Sequence, residues 1–248
     1  MSRPGRASGD SAKSVAARKV AEYRSAQRRR TAAVVTGVVV VVLAIAVAVG
    51  ISVYRTQSPS SSSSAAVPKG GTATGIVVGR TGAPVTVDVY LDFLCPVCRE
   101  FETTTGPTLD RYVAAGTVRI VYHPVAYLDR LSNGTRYSTR ASAAAACAAD
   151  AGVFPQYLKL LYANQPPESS TGLTGEQLIA LGRRAGATSQ AFADCVTSGR
   201  YLAWTARVTE AASRAGVTGT PTVLVDGRPV QATPAQVTAA IEAAARAG

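Results

Sequence analysis

Hydrophobic and polar positions divide the chain into four textures. Residues 1–31 are polar and basic, and from Ala32 to Val53 runs AAVVTGVVVVVLAIAVAVGISV, uncharged, with Thr36 and Ser52 as its hydroxyl residues. As a helix this run spans about 33 Å, enough to cross a hydrocarbon core of about 30 Å. The Ser/Pro/Gly-rich stretch TQSPSSSSSAAVPKGG (56–71) has almost nothing to bury and predicts a flexible tether. From about Thr72 the pattern is that of a folded domain. PVTVDVYLDF (84–93) predicts a buried strand. The residues after Cys95 predict a helix, with Pro96 suited to its first turn and Glu100 and Glu102 near its positive end. GTVRIVYHPV (116–125) predicts a second strand, so the unit is β-α-β with a parallel pair.

The texture then turns helical. Residues 137 to about 163 are Ala-rich with an interruption near Gly152. Thr174, three residues before Gln177, sets a capping box ahead of Leu178, Ile179 and Leu181, and 190–216 continues in helical style. PTVLVDGRPV (221–230) predicts a hairpin turning at Asp226-Gly227, and 233–248 a terminal helix opened by a cap and Pro234. The expected organisation is a basic tail (1–31), a transmembrane helix (32–54), a linker (55–73) and an α/β domain (74–248) with a helical insertion at about 137–212.

Charge sharpens the first part of this picture. Of the net charge of +11, +7 lies in residues 1–30, which leaves +4 for everything after. Basicity confined to a tail argues against nucleic acid as a partner, since that needs a basic face on a folded module. Arg28, Arg29 and Arg30 abut the apolar run and Arg55 alone follows it closely, which puts the N-terminus in the cytoplasm and the domain outside. Ala46-Val47-Ala48 has the small-x-small form of a cleavage site. The run is longer than a secretory apolar region and continues past that point, so the expectation is an uncleaved single-pass anchor in the cell membrane.

The cysteines carry the chemistry. Cys95, Cys98, Cys147 and Cys195 allow three pairings, and with His123 as the sole histidine a Cys₂His₂ zinc site is impossible. A Cys₄ site would need a second C-x-x-C, whereas Cys147 and Cys195 are 48 residues apart; no metal is expected. Cys95-Pro96-Val97-Cys98 follows a strand and opens a helix within the β-α-β unit, which is the setting of a redox motif, with an inert local disulfide as the alternative the motif alone leaves. Unpaired N–H groups at the helix start favour the Cys95 thiolate, so Cys95 can attack a disulfide or leave from a mixed one while Cys98 resolves it. The cysteine pair carries the electrons itself, and no organic cofactor is required.

YLDFLCPVC, the stretches SNGTRYSTRASAAAACAADAG and LYANQPPESSTGLTGEQL, and GVTGTPTVLVDG together resemble the DsbA-like branch of the thioredoxin superfamily, over roughly Gly75 to the C-terminus. The resemblance implies a thioredoxin-like α/β fold with an inserted helical subdomain, here preceded by the transmembrane helix. It implies that the Thr220–Pro221 bond is cis and packs opposite Cys95, in a loop that offers backbone groups to an extended substrate peptide. It implies a structural Cys147–Cys195 disulfide. It also implies the partners: unfolded or partly folded exported proteins with thiols, and a quinone-linked membrane oxidase that recycles the enzyme. Oxidation of exported thiols is the expected direction, with a reductase or isomerase, or a non-catalytic sensor on the same scaffold, as alternatives.

The chain departs from the family in two places. A buried acid six residues before the first cysteine is common there, and this chain has Val89; Asp88 and Asp92 have the opposite strand parity, and Asp92 reads as a strand-end or helix-entry residue. Pro96 and Val97 include no histidine to stabilise the thiolate. His123, just after the second strand, is a candidate neighbour of the active site, with a plain loop side chain as the alternative.

Overall fold

The computed structural model describes residues 66–247. The basic tail, the expected transmembrane helix and the linker as far as 65 lie outside the described residues. Among those described, no helix is long and apolar enough to cross a membrane.

Alternation sets the central strand. In β2 (Val85–Leu91) Val85, Val87, Val89 and Leu91 are buried on one face, while Thr86, Asp88 and Tyr90 are half-buried on the other. β1 (Ile76–Val78), β3 (Val118–Pro124), β4 (Thr222–Val225) and β5 (Arg228–Val230) complete a mixed sheet in the order β1-β3-β2-β4-β5. β2 and β3 run parallel and every other pair is antiparallel. β1 is too short for its period to show in the sequence. At the β4–β5 turn Asp226 and Gly227 both have positive φ (47° and 75°), as a two-residue type I′ turn demands.

The crossover from β2 to β3 holds two helices where one was expected: α1 (Pro96–Thr104) and α2 (Gly106–Ala114). Pro107 is the cause, because it lacks an N–H and its ring would strike the carbonyl four residues earlier. The insertion comprises α3 (Tyr137–Asp150), α4 (Phe154–Ala163), α5 (Gly175–Ala185), α6 (Gln190–Thr197) and α7 (Leu202–Arg214), and α8 (Pro234–Ala247) ends the chain. α3 is its hub: all but Arg140 and Asp150 of its fourteen residues are buried. Small alanine side chains let α4, α5, α6 and α7 approach it closely from several sides. A disulfide joins Cys147 on α3 to Cys195 on α6, and Thr174 and Gln177 form both bonds of the capping box that starts α5.

The linker reading fails at its C-terminal end. Lys69 N donates to Asp150 at 2.8 Å, Trp204 Nε1 to Thr72 O at 3.1 Å, and Arg207 Nε to Ala73 O at 3.1 Å. A backbone N–H and two backbone carbonyls, which composition does not reveal, hold this stretch on α3 and α7.

Candidate active site

Cys95 sits where β2 hands over to α1. It is the extended residue that caps the helix (φ −75°, ψ 115°), and Pro96 follows as the first helical residue, where no N–H is needed. Its thiol is 6 % exposed and donates to Thr220 O at 3.4 Å; the Thr220–Pro221 peptide bond is cis. Cys98, one turn inward, is 1 % exposed, and both thiols are free. A hydrogen bond from the Cys98 side chain, joined by Thr220 and by the N–H groups of Cys98 and Val97, outweighs burial and lowers the Cys95 thiol to about 6. Burial and the neighbouring Cys95 push Cys98 the other way, far above the ordinary thiol range. One thiol of the pair is thus a good nucleophile and leaving group, while its partner holds its proton. Pro96 is exposed and Val97 is 56 % exposed, so an apolar rim lies beside the reactive sulfur.

The loop that presents Cys95 is braced from the insertion. Asp92 is not the simple strand-end residue its position suggests: it is fully buried, its Oδ1 accepts from Leu94 N and Ser138 Oγ at 2.9 and 2.7 Å, and its Oδ2 accepts from Leu128 N at 2.9 Å. Burial raises its carboxyl to about 6 against these three donors. Tyr162 Oη donates to Asp92 O at 3.2 Å, and Gln165 Nε2 donates to both Phe93 O and Cys95 O, at 3.0 and 2.9 Å.

A family model described as thioredoxin matches residues 71–243. The chain belongs to the thioredoxin family. Within it, the solved structures point to the DsbA-like thiol–disulfide oxidoreductases. Oxidised DsbA of Mycobacterium tuberculosis is 34% identical, with a TM-score of 0.61 over 69% of this chain and 92% of that one. Reduced DsbG of the same organism is 33% identical, with a TM-score of 0.61 over 72% and 95%. Among curated proteins, the serine/threonine-protein kinase PknE of M. tuberculosis is 32% identical over 134 residues, 52% of this chain and 24% of that protein. The chain spans about a quarter of the length of the curated relatives it matches.

Val89, six residues before Cys95, is fully buried, so no acid stands at that position. Besides Asp92, a second buried acid, Glu102, lies on α1. Cys98, Phe101 and Glu102 share the helix's buried face, the i, i+3, i+4 spacing from which Glu102 could have been read as buried rather than as a partner of the positive helix end. Glu102 Oε2 has no hydrogen-bond partner, and burial, then the Asp110 charge, raises the carboxyl to about 7. With Arg99, Lys159 and Tyr162 it lines a cavity of about 370 Å³.

His123 is directed away from the thiols. Its Nε2 lies 2.8 Å from Asp88 Oδ1, its Nδ1 lies 2.7 Å from Thr74 O, and its ring stacks on Tyr90 at 4.2 Å. Both partners are acceptors, so the two bonds are made together when both ring nitrogens carry protons. The correction has a parity cause: His123 pairs with Tyr90 across the parallel ladder, on the sheet face that also carries Asp88. Among the described residues, no group of three or more His, Cys, Asp or Glu side chains could hold a metal ion.

Proposed function

We propose that this oxidoreductase introduces disulfides into exported proteins from the outer side of the membrane. The observation that carries the reading is Cys95 at the start of α1, its sulfur against the carbonyl of the cis-proline loop and its thiol lowered to about 6 above a buried Cys98. In the oxidised enzyme a substrate thiolate attacks Cys95 and expels Cys98, which takes up a proton. A second substrate thiolate then attacks the mixed disulfide and expels the Cys95 thiolate. The substrate leaves with a disulfide, and two electrons remain on the Cys95–Cys98 dithiol. A stabilised Cys95 thiolate favours the reduced enzyme, which makes its disulfide oxidising.

Thr220 and Pro221 dock the extended substrate beside the sulfur through backbone groups, with Val97 and Pro96 as an apolar rim. The uncharged run at 32–53 with arginines on its N-terminal side supports a single-pass anchor and an external domain. A quinone-linked membrane oxidase is the class of partner that would remove the two electrons. A reductase or isomerase of the same fold is the second reading, with which Thr220 before the cis-proline and Val89 in place of an acid are compatible.

The reduction potential of the Cys95–Cys98 pair separates the two. Measured on the full chain in detergent against glutathione, with Cys95 alkylation as the readout, a value near about −120 mV supports the oxidase. A value near about −270 mV overturns it in favour of the reductase.

A further inference from the structure

Gln165 was silent in the sequence, yet it makes more direct contact with the reactive loop than any other side chain of the insertion. Its single NH₂ group spends both hydrogens on two carbonyls, Phe93 O at 3.0 Å and Cys95 O at 2.9 Å, which lie 72 and 70 residues earlier in the chain. Because both partners are acceptors, the orientation of the amide follows from chemistry. The backbone beneath it is pinned: Gln165 N donates to Tyr162 O at 3.2 Å as α4 closes, and Pro166 restricts the conformation of the residue before it. Core packing does not account for the position, since Gln165 is only half-buried. Three residues earlier, in the last turn of α4, Tyr162 takes the Asp92 carbonyl. Two side chains from the end of α4 therefore bind three carbonyls of the segment 92–95.

We infer that Gln165 is a positioning residue of the thiol exchange, an amide clamp through which the helical insertion sets the geometry and the charge environment of Cys95. The inference rests on the proposal that Cys95 is the reactive thiol. The clamp has two effects. It fixes where α1 begins, and hence how the N–H groups of Val97 and Cys98 face the sulfur. It also brings the positive end of an N–H dipole to the residue that must carry a thiolate. Removing the two donors withdraws that positive end, leaving Phe93 O without this side-chain donor and Cys95 O with the Arg99 N–H.

The test is the pH profile of iodoacetamide alkylation of the reduced full chain in detergent, with Cys95 and Cys98 read separately by peptide mass spectrometry. Gln165→Met keeps the length and removes the donors. Gln165→Glu keeps the shape and sets a carboxylate against the carbonyls. Both are expected to move the Cys95 midpoint upward, Glu further than Met, and to slow alkylation of Cys95 at pH 5 by about threefold to tenfold. Gln165→Asn retains an amide one methylene short, gives a smaller shift in the same direction, and supplies the reading if the Met variant does not fold. If the variants that fold melt at lower temperature but keep the wild-type midpoint, the amide is scaffold alone and the inference is wrong. If the wild-type chain is itself alkylated first at Cys98, the assignment of Cys95 fails instead, and the two failures are told apart by which peptide is labelled.

Discussion

β2 delivers Cys95 to the end of the sheet through backbone ladders on both of its sides, whereas the insertion holds the same loop with single side chains drawn from α3 and the exit of α4. The ladder from Val85 to Leu91 uses groups that every residue owns, so it tolerates exchange of any one side chain that keeps the alternation. The bonds from Ser138, Tyr162 and Gln165 each depend on one residue type, 46 to 72 positions away from its partner. A framework built from backbone places the reactive sulfur. A clamp built from side chains adjusts it, and that clamp is where a relative could change reactivity without changing the fold.

Four measurements press on this contrast. The largest effect is expected inside the insertion, where Cys147→Ser with Cys195→Ser opens a 48-residue loop and costs about 4 kcal/mol in denaturant unfolding. A loss near zero would mean that the alanine packing around α3 suffices without the covalent link.

Next comes pH. The Glu102 carboxyl is raised to about 7 in the fold, so the folded state keeps a proton that the unfolded chain releases above about pH 4.5. Stability therefore falls as pH rises from about 4.5 to about 7, by on the order of 3 kcal/mol, and then levels. Glu102→Gln should abolish the fall above about pH 6, below which the raised Asp92 carboxyl contributes as well, and be the more stable protein at pH 8 than the parent. An unchanged slope would place the titrating group elsewhere, with Asp92 next to examine.

Asp92 joins the two regions, and Asp92→Asn replaces an acceptor-only carboxylate that faces three donors with an amide whose NH₂ is itself a donor. One donor is left without a partner, at a cost of roughly 2 kcal/mol by thermal unfolding. A neutral result would show that the loop rearranges to pair with the amide. The smallest effect belongs to Thr174→Ala, which removes the side-chain half of the capping box at α5 and costs about 1 kcal/mol. Because α5 makes none of the bonds to the segment 92–95 described above, this variant should leave the Cys95 alkylation profile unchanged, whereas Gln165→Met should not.

What could be read before folding follows the same division. β2, β3 and the β4–β5 hairpin were legible because alternation and an Asp-Gly turn are local properties, and so was the capping box of Thr174 and Gln177. β1 escaped because three residues carry no period, and Pro107 is the local sign of the break between α1 and α2. Asp92 and Glu102 were visible as acids; the spacing of Glu102 from Cys98 and Phe101 hinted at its burial, while nothing local signalled that of Asp92. His123 was assigned to the thiols on proximity along β3, while the parallel register with β2 gave it to Asp88 and Thr74. Gln165 gave no local sign at all.

By itself, the sequence determined the strands, the helices and a C-x-x-C at a helix start, since spacing and composition act between neighbours in the chain. Only the tertiary structure decided which groups lose water and which carbonyl meets which donor. Those outcomes set the charge of Asp92 and Glu102 and the hold of Gln165 on Cys95. They depend on elements far apart in the chain packing together, and no local pattern encodes that distance.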